Sequence, residues 1–391
     1  MLNFNFMSPT RYVFGKDTEK ETGKLTKDCG AKKVLLHFGG GSAEKSGLLP
    51  RVRESLKAEG IHFVELGGVV PNPRASLVYE GIELCRKENV DFVLCVGGGS
   101  VIDSGKGIAV GVPYEGDFWD FYTGKATAAA ALPVGVVLTI PAAGSEGSGA
   151  SVITKMDGLL KLAYEDNILR PKFAVLNPVL TYTMPAYQIA CGAVDIMAHV
   201  FERYITQTKG VDFSDRLCES VLCTIIKYVP IAIKEPDNYE ARANIMWAGT
   251  VAHNDIIGLG RQCDWSSHMM EHELSALYDV AHGAGLAVMV PAFFRYQYKH
   301  DVARFAQLAV RVFGCDMDYQ NPEKTAVEGI ERLEQFFTSI GMPVTFKELG
   351  AKEEDIPVMT KKCRMINGDK LGFFNPLTRA DIEKIYKIAC R

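Results

Sequence analysis

The chain has 391 residues, of which 47% are hydrophobic and 23% are charged. At about 150 residues per domain, this length predicts two domains with ordinary globular cores. The 47 acidic residues outnumber the 43 lysines and arginines, so the net charge is −4 and there is no basic surplus to bind a nucleic acid backbone. No apolar run reaches the roughly 18 residues of a membrane-spanning helix. Neither nucleic acid nor a membrane is expected as a partner.

The first residues and the cysteines indicate the compartment. Met1–Thr10 lacks the basic segment, apolar core and small-residue cleavage site of a secretory signal, which predicts a cytoplasmic protein. The ten cysteines form no CxxC pair. We therefore expect reduced, mostly buried thiols, with disulfides or a zinc cluster as the less favoured alternatives.

Short β-branched runs alternate with helical patterns in the first half of the chain. The predicted strands are Lys33–His37, His62–Leu66, Phe92–Val96 and Val134–Ile140, and a helical pattern covers Arg74–Asn89. This alternation is typical of a parallel sheet covered by helices. We interpret residues 1–184 as an α/β, Rossmann-like, dinucleotide-binding domain.

The character of the sequence changes near Pro185, after which helical periodicity dominates. The predicted helices are Tyr187–Thr206, Ser214–Ile233, Tyr239–Ile257, Asp264–Tyr278, His300–Val312 and Pro322–Ile340. We predict that residues 185–391 form an all-α domain.

A glycine turn, Gly97–Ser100, lies between the predicted strand Phe92–Val96 and a helix that starts at Val101. Glycines at such a turn let the backbone approach a pyrophosphate, which the helix N-terminus can then bind. The turn lacks the GxGxxG spacing of the common dinucleotide fold. It indicates a phosphate site in a variant of that architecture, or only a connection between two elements.

A second turn, Gly39–Ser42, follows the predicted strand Lys33–His37 and has no acidic residue at the strand end. A carboxylate there would bond a ribose hydroxyl and repel a 2′-phosphate. Glycine N–H groups, Ser42 and nearby Lys45 could instead accept that phosphate. The turn therefore favours NADPH over NADH, unless it is merely a flexible connection and Lys45 a solvated charge.

Four of the eight histidines fall in two short windows that also contain an aspartate. Asp195 and His199 are four residues apart on a predicted helix and so share one face. His268 and His272 repeat that spacing, and His282 follows. Each histidine alone could be an ordinary surface or core residue, but the grouping indicates a metal site.

Helix geometry constrains how the second window can contribute. An unbroken helix from His268 to His282 would separate their α-carbons by about 21 Å, which is too far for one ion. We therefore expect the chain to break between them, with Asp279, Gly283 and Gly285 as the candidate interruptions. Nitrogen and oxygen donors suit iron, zinc, manganese or nickel.

The ordered motifs of the sequence resemble those of the iron-containing, or group III, alcohol dehydrogenase family, in particular its NADPH-dependent butanol dehydrogenase and aldehyde reductase branch. The likeness covers nearly the whole chain. Beyond the Gly97–Ser100 turn and the two histidine windows, it includes Pro71–Arg74, Asp103, Lys106, Thr139–Glu146 and Leu169–Phe173. The resemblance implies the dehydroquinate synthase-like fold of that family, with a metal-binding and substrate domain at residues 185–391.

The resemblance also implies roles for individual residues. One divalent ion would be held by Asp195, His199, His268 and His282, and His272 would relay a proton. The implied cofactor contacts are Gly39, Gly40, Ser42, Asn72, Gly98, Gly99, Ser100, Asp103, Thr139 and Lys161. Two departures are Ala143, where many members have threonine near the phosphates, and Asn177, where an aspartate commonly precedes the proline.

By this resemblance the chain is expected to interconvert butanol-like primary alcohols and aldehydes by hydride transfer, as a homodimer. The alternatives are a glycerol dehydrogenase-like or other polyol oxidoreductase on the same fold, and a dehydroquinate synthase-like lyase. A protein that binds metal or nucleotide without turnover is the alternative from another class.

Overall fold

The computed structural model describes residues 1–391 and divides into two compact units. The sheet domain comprises Met7–Met184 and Asp237–Thr250, and the helical domain comprises Met1–Phe6, Pro185–Pro236 and Val251–Arg391. The expected α/β domain and helical domain are thus confirmed as fold types.

The sheet domain contains every strand of the chain. The strands are β1 (Arg11–Phe14), β2 (Lys33–Phe38), β3 (His62–Leu66), β4 (Phe92–Gly98), β5 (Val134–Ile140), β6 (Ala150–Lys155), β7 (Leu160–Glu165) and β8 (Phe173–Leu176). The helices are α1 (Thr22–Asp28), α2 (Ser42–Lys45), α3 (Leu48–Ala58), α4 (Ala75–Glu88), α5 (Gly99–Gly111) and α6 (Trp119–Tyr122). Short 3-10 turns cover Thr18–Glu21, Asn167–Leu169 and Pro178–Thr181.

Six strands form one parallel sheet in the order β1-β8-β5-β4-β2-β3. Their apolar side chains alternate between two layers: Leu35 and Val93 pack under α4 and α5, whereas Leu36 and Leu94 pack under α3. The chain crosses from one face to the other between β2 and β4, which are neighbours in the sheet. Open α/β sheets bind ligands at such a switch point, outside the carboxyl ends of the strands.

A buried lysine organises the segment that follows β5. The Lys106 ammonium group, on α5, donates to the carbonyl oxygens of Ser145, Ser148 and Ala150 and to the Ser145 hydroxyl, at 2.7–2.9 Å. Strands β6 and β7 then form a separate antiparallel hairpin. Because burying an ammonium group is costly without such acceptors, this arrangement holds the loop tightly against α5.

The helical domain is built from helices of varied length and has no strand. The remaining helices are α7 (Ala186–Tyr204), α8 (Asp212–Lys234), α9 (Tyr239–His253), α10 (Ser266–Tyr278), α11 (His282–Gln297), α12 (Val302–Phe313), α13 (Pro322–Ser339), α14 (Phe346–Leu349), α15 (Ile356–Lys362) and α16 (Arg379–Ala389). Short 3-10 turns cover Ile256–Gly258, Tyr298–His300 and Glu353–Asp355. None of the helices combines the length and apolarity that crossing a bilayer requires.

The two domains are not the two unbroken segments that the sequence suggested. Met1–Phe6 packs with the helical domain, where its backbone bonds Gly260. Asp237–Thr250, most of α9, packs with the sheet domain, and the hydroxyl of Thr250 donates to the buried carboxylate of Glu146 at 2.6 Å. The periodicity of a helix shows which of its faces is apolar. It does not show which domain that face packs against. All ten cysteines are free thiols.

Replacing Gly105 with alanine should lower the free energy of unfolding by about 1–3 kcal/mol through overpacking. An added Cβ would lie 2.2 Å from the Cys95 sulfur. In an exposed helix the same change stabilises by up to about 1 kcal/mol, so the sign of the effect reports the packing of α5 on β4. Urea denaturation measures it.

The matched control is Gly40→Ala, where an added Cβ would meet nothing within 4 Å. Its stability should stay within about 0.5 kcal/mol of the parent protein. Equal stabilities for the two variants would contradict the close approach at Gly105.

Candidate functional site

Helix α7 supplies the first two residues of the candidate metal centre. Asp195 and His199 lie one turn apart on its buried face, with the His199 Nε2 atom 3.3 Å from Asp195 Oδ1. The expectation that this pair shares a helix face is confirmed.

The chain breaks between His268 and His282, as the distance argument required. Helix α10 ends at Tyr278, and Asp279 follows in the left-handed conformation at φ 52°. Helix α11 then begins at His282. Of the three expected interruptions, only Asp279 acts as one, because Gly283 and Gly285 lie within α11.

Gly283 serves a different purpose, which is close packing of α11 on α7. A Cβ at this position would lie 2.1 Å from the backbone oxygen of Cys191. The first turn of α11 therefore lies directly against the α7 backbone, one turn before Asp195. This places His282 Nε2 at 3.8 Å from Asp195 Oδ1.

Three of the four expected ligands converge. One donor atom from each of Asp195, His268 and His282 lies within 4.8 Å of the other two. His199 is outside this mutual trio, although its ring centroid lies 4.6 Å from that of His268. All belong to the helical domain.

The convergent residues fit a divalent cation. Ligand atoms at about 2.1 Å from a tetrahedral ion are about 3.4 Å apart, and the Asp195 Oδ1 distances to His199 and His282 are 3.3 and 3.8 Å. The His268 Nε2 atom is buried and has no hydrogen-bond partner. A buried nitrogen lone pair without a donor is costly, and a cation would satisfy it.

The surroundings of His199 keep its imidazole neutral, which is the form that binds metals. Burial, and then the charges of His253, His268 and Arg203, hold the pKa of His199 well below its usual range. The His253 ring stacks on the His199 ring at a centroid distance of 4.1 Å. The guanidinium of Arg203 in turn bonds His253 Nδ1 at 2.7 Å.

Two carboxylates that the sequence interpretation missed contact the histidines. Glu202 accepts a hydrogen bond from His268 Nδ1 at 2.8 Å, and Glu271 accepts one from His282 Nδ1. Glu202 had a signal in the sequence, since it follows Asp195 by seven residues and therefore shares its helix face. Glu271 had none, because its contact with His282 depends on the turn between α10 and α11.

His272 lies beside the centre and not within the trio. It is buried on α10, and its ring centroid is 5.7 Å from that of His282. Its donor atom groups with Glu271 and His282 within 4.8 Å. The position suits a group that exchanges protons next to the ligands.

The two glycine turns lie in the sheet domain at the carboxyl ends of the adjacent strands β2 and β4. Gly39 and Gly40 follow β2, and Ser42 opens α2. The Gly97–Ser100 turn is tighter than expected, because β4 runs through Gly98 and α5 starts at Gly99. Both turns therefore meet at the topological switch point of the sheet.

The other expected cofactor contacts are spread over the same domain. Thr139 lies near the carboxyl end of β5, beside β4. Asn72 is buried in the left-handed conformation at φ 52°, and Lys161 pairs with Thr154 across the β6–β7 hairpin.

Asp103 has protein partners already. One of its carboxylate oxygens accepts from the Ser145 hydroxyl at 2.6 Å and the other from the Val152 N–H at 3.0 Å. This carboxylate holds the loop after β5 together with Lys106.

Comparison with known proteins covers both halves of the chain. Residues 9–178 match the model of iron-containing alcohol dehydrogenases, and residues 189–390 match the model of the C-terminal part of the Fe-containing alcohol dehydrogenase family. The chain belongs to the iron-containing alcohol dehydrogenase family. Membership of this family implies a nicotinamide cofactor, either NADH or NADPH, and a divalent metal.

Individual relatives align over the full length. The chain is 41% identical over 388 residues to NADH-dependent butanol dehydrogenase A of Clostridium acetobutylicum, covering 99% of each chain. It is 37% identical over 392 residues to the NADPH-dependent aldehyde reductase YqhD of Escherichia coli, covering 100% of each. The crystal structure of NADH-dependent butanol dehydrogenase A from Thermotoga maritima matches with a TM-score of 0.97 at 40% identity, over 100% of this chain and 99% of that one.

Replacing Gly283 with alanine should weaken metal binding by about 10–100-fold, the range seen when the support of a ligand is disturbed. The new Cβ would push α11 off the Cys191 backbone and carry His282 away from Asp195. Metal analysis after dialysis against a weak chelator measures the loss.

The control is Ala284→Gly at the next position of the same helix. This change removes a Cβ, whereas Gly283→Ala adds one. It should retain the metal. Full metal retention by Gly283→Ala would contradict the role of the helix contact.

Proposed function

We propose that the chain reversibly reduces short-chain aldehydes such as butanal to primary alcohols, using NAD(P)H and one divalent ion. The observation that carries the proposal is that donor atoms of Asp195, His268 and His282 lie close together. One of these atoms, His268 Nε2, is buried and has no hydrogen-bond partner. The butanol dehydrogenases and the aldehyde reductase among the relatives support the same reaction.

Asp195, His199, His268 and His282 would hold the ion. When bound, the nicotinamide supplies a hydride for the carbonyl carbon, and the ion acts as a Lewis acid toward the carbonyl oxygen. The donor set of one carboxylate and three imidazoles suits iron, zinc, nickel or manganese. Membership of the iron-containing family favours iron.

The reaction converts an aldehyde, NAD(P)H and a proton into an alcohol and NAD(P)⁺. We assign the proton to His272, whose ring nitrogen would deliver it to the oxygen and recover it from solvent. His282 is the most exposed of the five groups, at 24% of its side chain, whereas Asp195, His199 and His268 are buried. Substrate and protons would therefore reach the centre from the His282 side.

A diol substrate is the second candidate. The chain is 30% identical over 379 residues to the 1,3-propanediol dehydrogenase of Citrobacter freundii. A panel of butanal, butanol, glycerol and 1,3-propanediol separates the two substrate classes by kcat/KM.

We further propose that NADPH is preferred. Gly39, Gly40 and Ser42 follow β2 without an acidic side chain, and the exposed Lys45 lies within the next turn. These groups can accept a 2′-phosphate. The relatives include NADH-dependent butanol dehydrogenases and an NADPH-dependent aldehyde reductase, so they do not decide between the two cofactors.

His268→Ala and His272→Ala should fail in different ways. Loss of His268 should abolish metal retention and turnover, whereas loss of His272 should slow turnover by about 10²–10⁴-fold, as expected for a proton-transfer group, with the metal retained. The readouts are metal content and the decline of NADPH absorbance with butanal.

His62→Ala is the matched control, because His62 is exposed on β3 in the sheet domain. It should leave both readouts unchanged. A metal-free His268→Ala protein with full activity would refute the proposed centre.

Ser42→Asp should reduce kcat/KM for NADPH by about tenfold or more relative to NADH. A carboxylate at this position would repel the 2′-phosphate and remove a hydroxyl donor. The control Ser46→Asp adds the same charge one turn later and should leave the ratio unchanged. Better catalysis by the parent protein with NADH than with NADPH would defeat the preference.

A further inference from the structure

Glu202 is a buried carboxylate on α7 that faces the start of α10. Its Oε1 atom accepts from the Ser267 hydroxyl at 2.5 Å, the His268 backbone N–H at 3.1 Å and His268 Nδ1 at 2.8 Å. The side chain is 2% exposed, and no lysine or arginine pairs with it. A buried carboxylate without a cationic partner is costly to keep charged, so its position requires a compensating interaction.

Glu271 makes the corresponding contact to the other convergent histidine. It is fully buried on α10, and its two oxygens accept from the Ser275 hydroxyl and from His282 Nδ1. Gly285 leaves room for this carboxylate, because a Cβ there would lie 2.6 Å from Glu271 Oε1. A small residue on α11 thus admits the acidic residue that contacts His282.

The two contacts have the same chemical consequence. An imidazole that donates its Nδ1 proton to a carboxylate presents the Nε2 lone pair on its opposite side. His268 Nε2 is the buried atom without a partner, and His282 Nε2 is the atom that faces Asp195. Each carboxylate therefore selects the tautomer in which Nε2 carries no proton and faces the other candidate ligands.

Charge supports the same conclusion. Asp195, Glu202 and Glu271 bring three buried carboxylates to three imidazoles, while Arg203 is the guanidinium that acts on His199. A divalent cation held among the Nε2 atoms would be attracted to these three carboxylates.

We infer that Glu202 and Glu271 are positioning residues that fix the tautomer and ring plane of His268 and His282 and so strengthen metal binding. The inference rests on the proposed function. His199 lacks such a partner, since its Nδ1 atom has no hydrogen bond and its ring is held by stacking on His253. The centre therefore has two carboxylate-supported histidines and one stacked histidine.

The test compares Glu202→Gln and Glu271→Gln with Glu219→Gln. Glutamine keeps the size of the side chain and removes its charge. Glu219 is a matched control because it is a buried carboxylate of the same domain that bonds Tyr204 and Arg311. Each apoprotein is titrated with Zn²⁺ against a chromogenic chelator and, separately, loaded with Co²⁺ to record its visible ligand-field spectrum.

Both histidine-supporting variants should bind Zn²⁺ about 10–100-fold more weakly than the parent protein and should alter the Co²⁺ spectrum. Glu219→Gln should change neither, although it can lower the melting temperature of the apoprotein. This pattern separates an effect on the ligands from general destabilisation.

Parent-like affinity and an unchanged Co²⁺ spectrum in both variants would overturn the inference. Two ions per parent chain, reduced to one in Glu271→Gln, would overturn it for Glu271, because that residue would then ligate a second ion with His272 and His282. A parent protein that binds no divalent ion would instead refute the proposed function.

Discussion

The candidate metal centre depends on a backbone contact that only glycine permits, the approach of Gly283 on α11 to Cys191 on α7. Helix α7 acts as the template of the centre. It carries Asp195 and His199 as candidate ligands, and its Glu202 caps the start of α10. Two other helices present their first turns to it, so the candidate ligands are fixed by backbone packing and not by flexible loops. Rigid elements hold a metal site more exactly than loops do.

In the sheet domain, close backbone packing and buried charged side chains likewise fix the loops at the switch point. Strand β4 passes directly into α5, and a Cβ at Gly98 would lie 2.8 Å from Ile140, so the backbone itself forms the surface at the switch point. The loop that follows β5 is held by Lys106 and by the carboxylate of Asp103. An aspartate expected to contact the cofactor thus also shapes the loop beside it.

Much of the fold was predictable because buried strands and buried helix faces are rich in apolar residues, which the sequence shows directly. Strands β3 and β5 have the predicted bounds, since glycines flank the first run and prolines flank the second. Strand β1 was missed because it is only four residues long, and α11 because it is apolar on every side and contains Pro291. Helical spacing pointed to Asp195, His199, His268 and His272, whereas the ligand set that includes His282 came from the resemblance to the family. The contact of Glu271 with His282 depends on the turn between α10 and α11, which spacing does not encode.

Lys106 has a consequence for how the loop after β5 responds to its medium. The Lys106 ammonium group is surrounded by three carbonyl oxygens and a hydroxyl, and carbonyl oxygens are also the ligands that coordinate a potassium ion. Here the cation is tethered to α5 through its own side chain, so it cannot dissociate and its occupancy does not vary with salt. Burial lowers the pKa of this lysine to about 8. A rise in pH, and not a change in the concentration of an alkali metal, would therefore remove the positive charge that holds the loop.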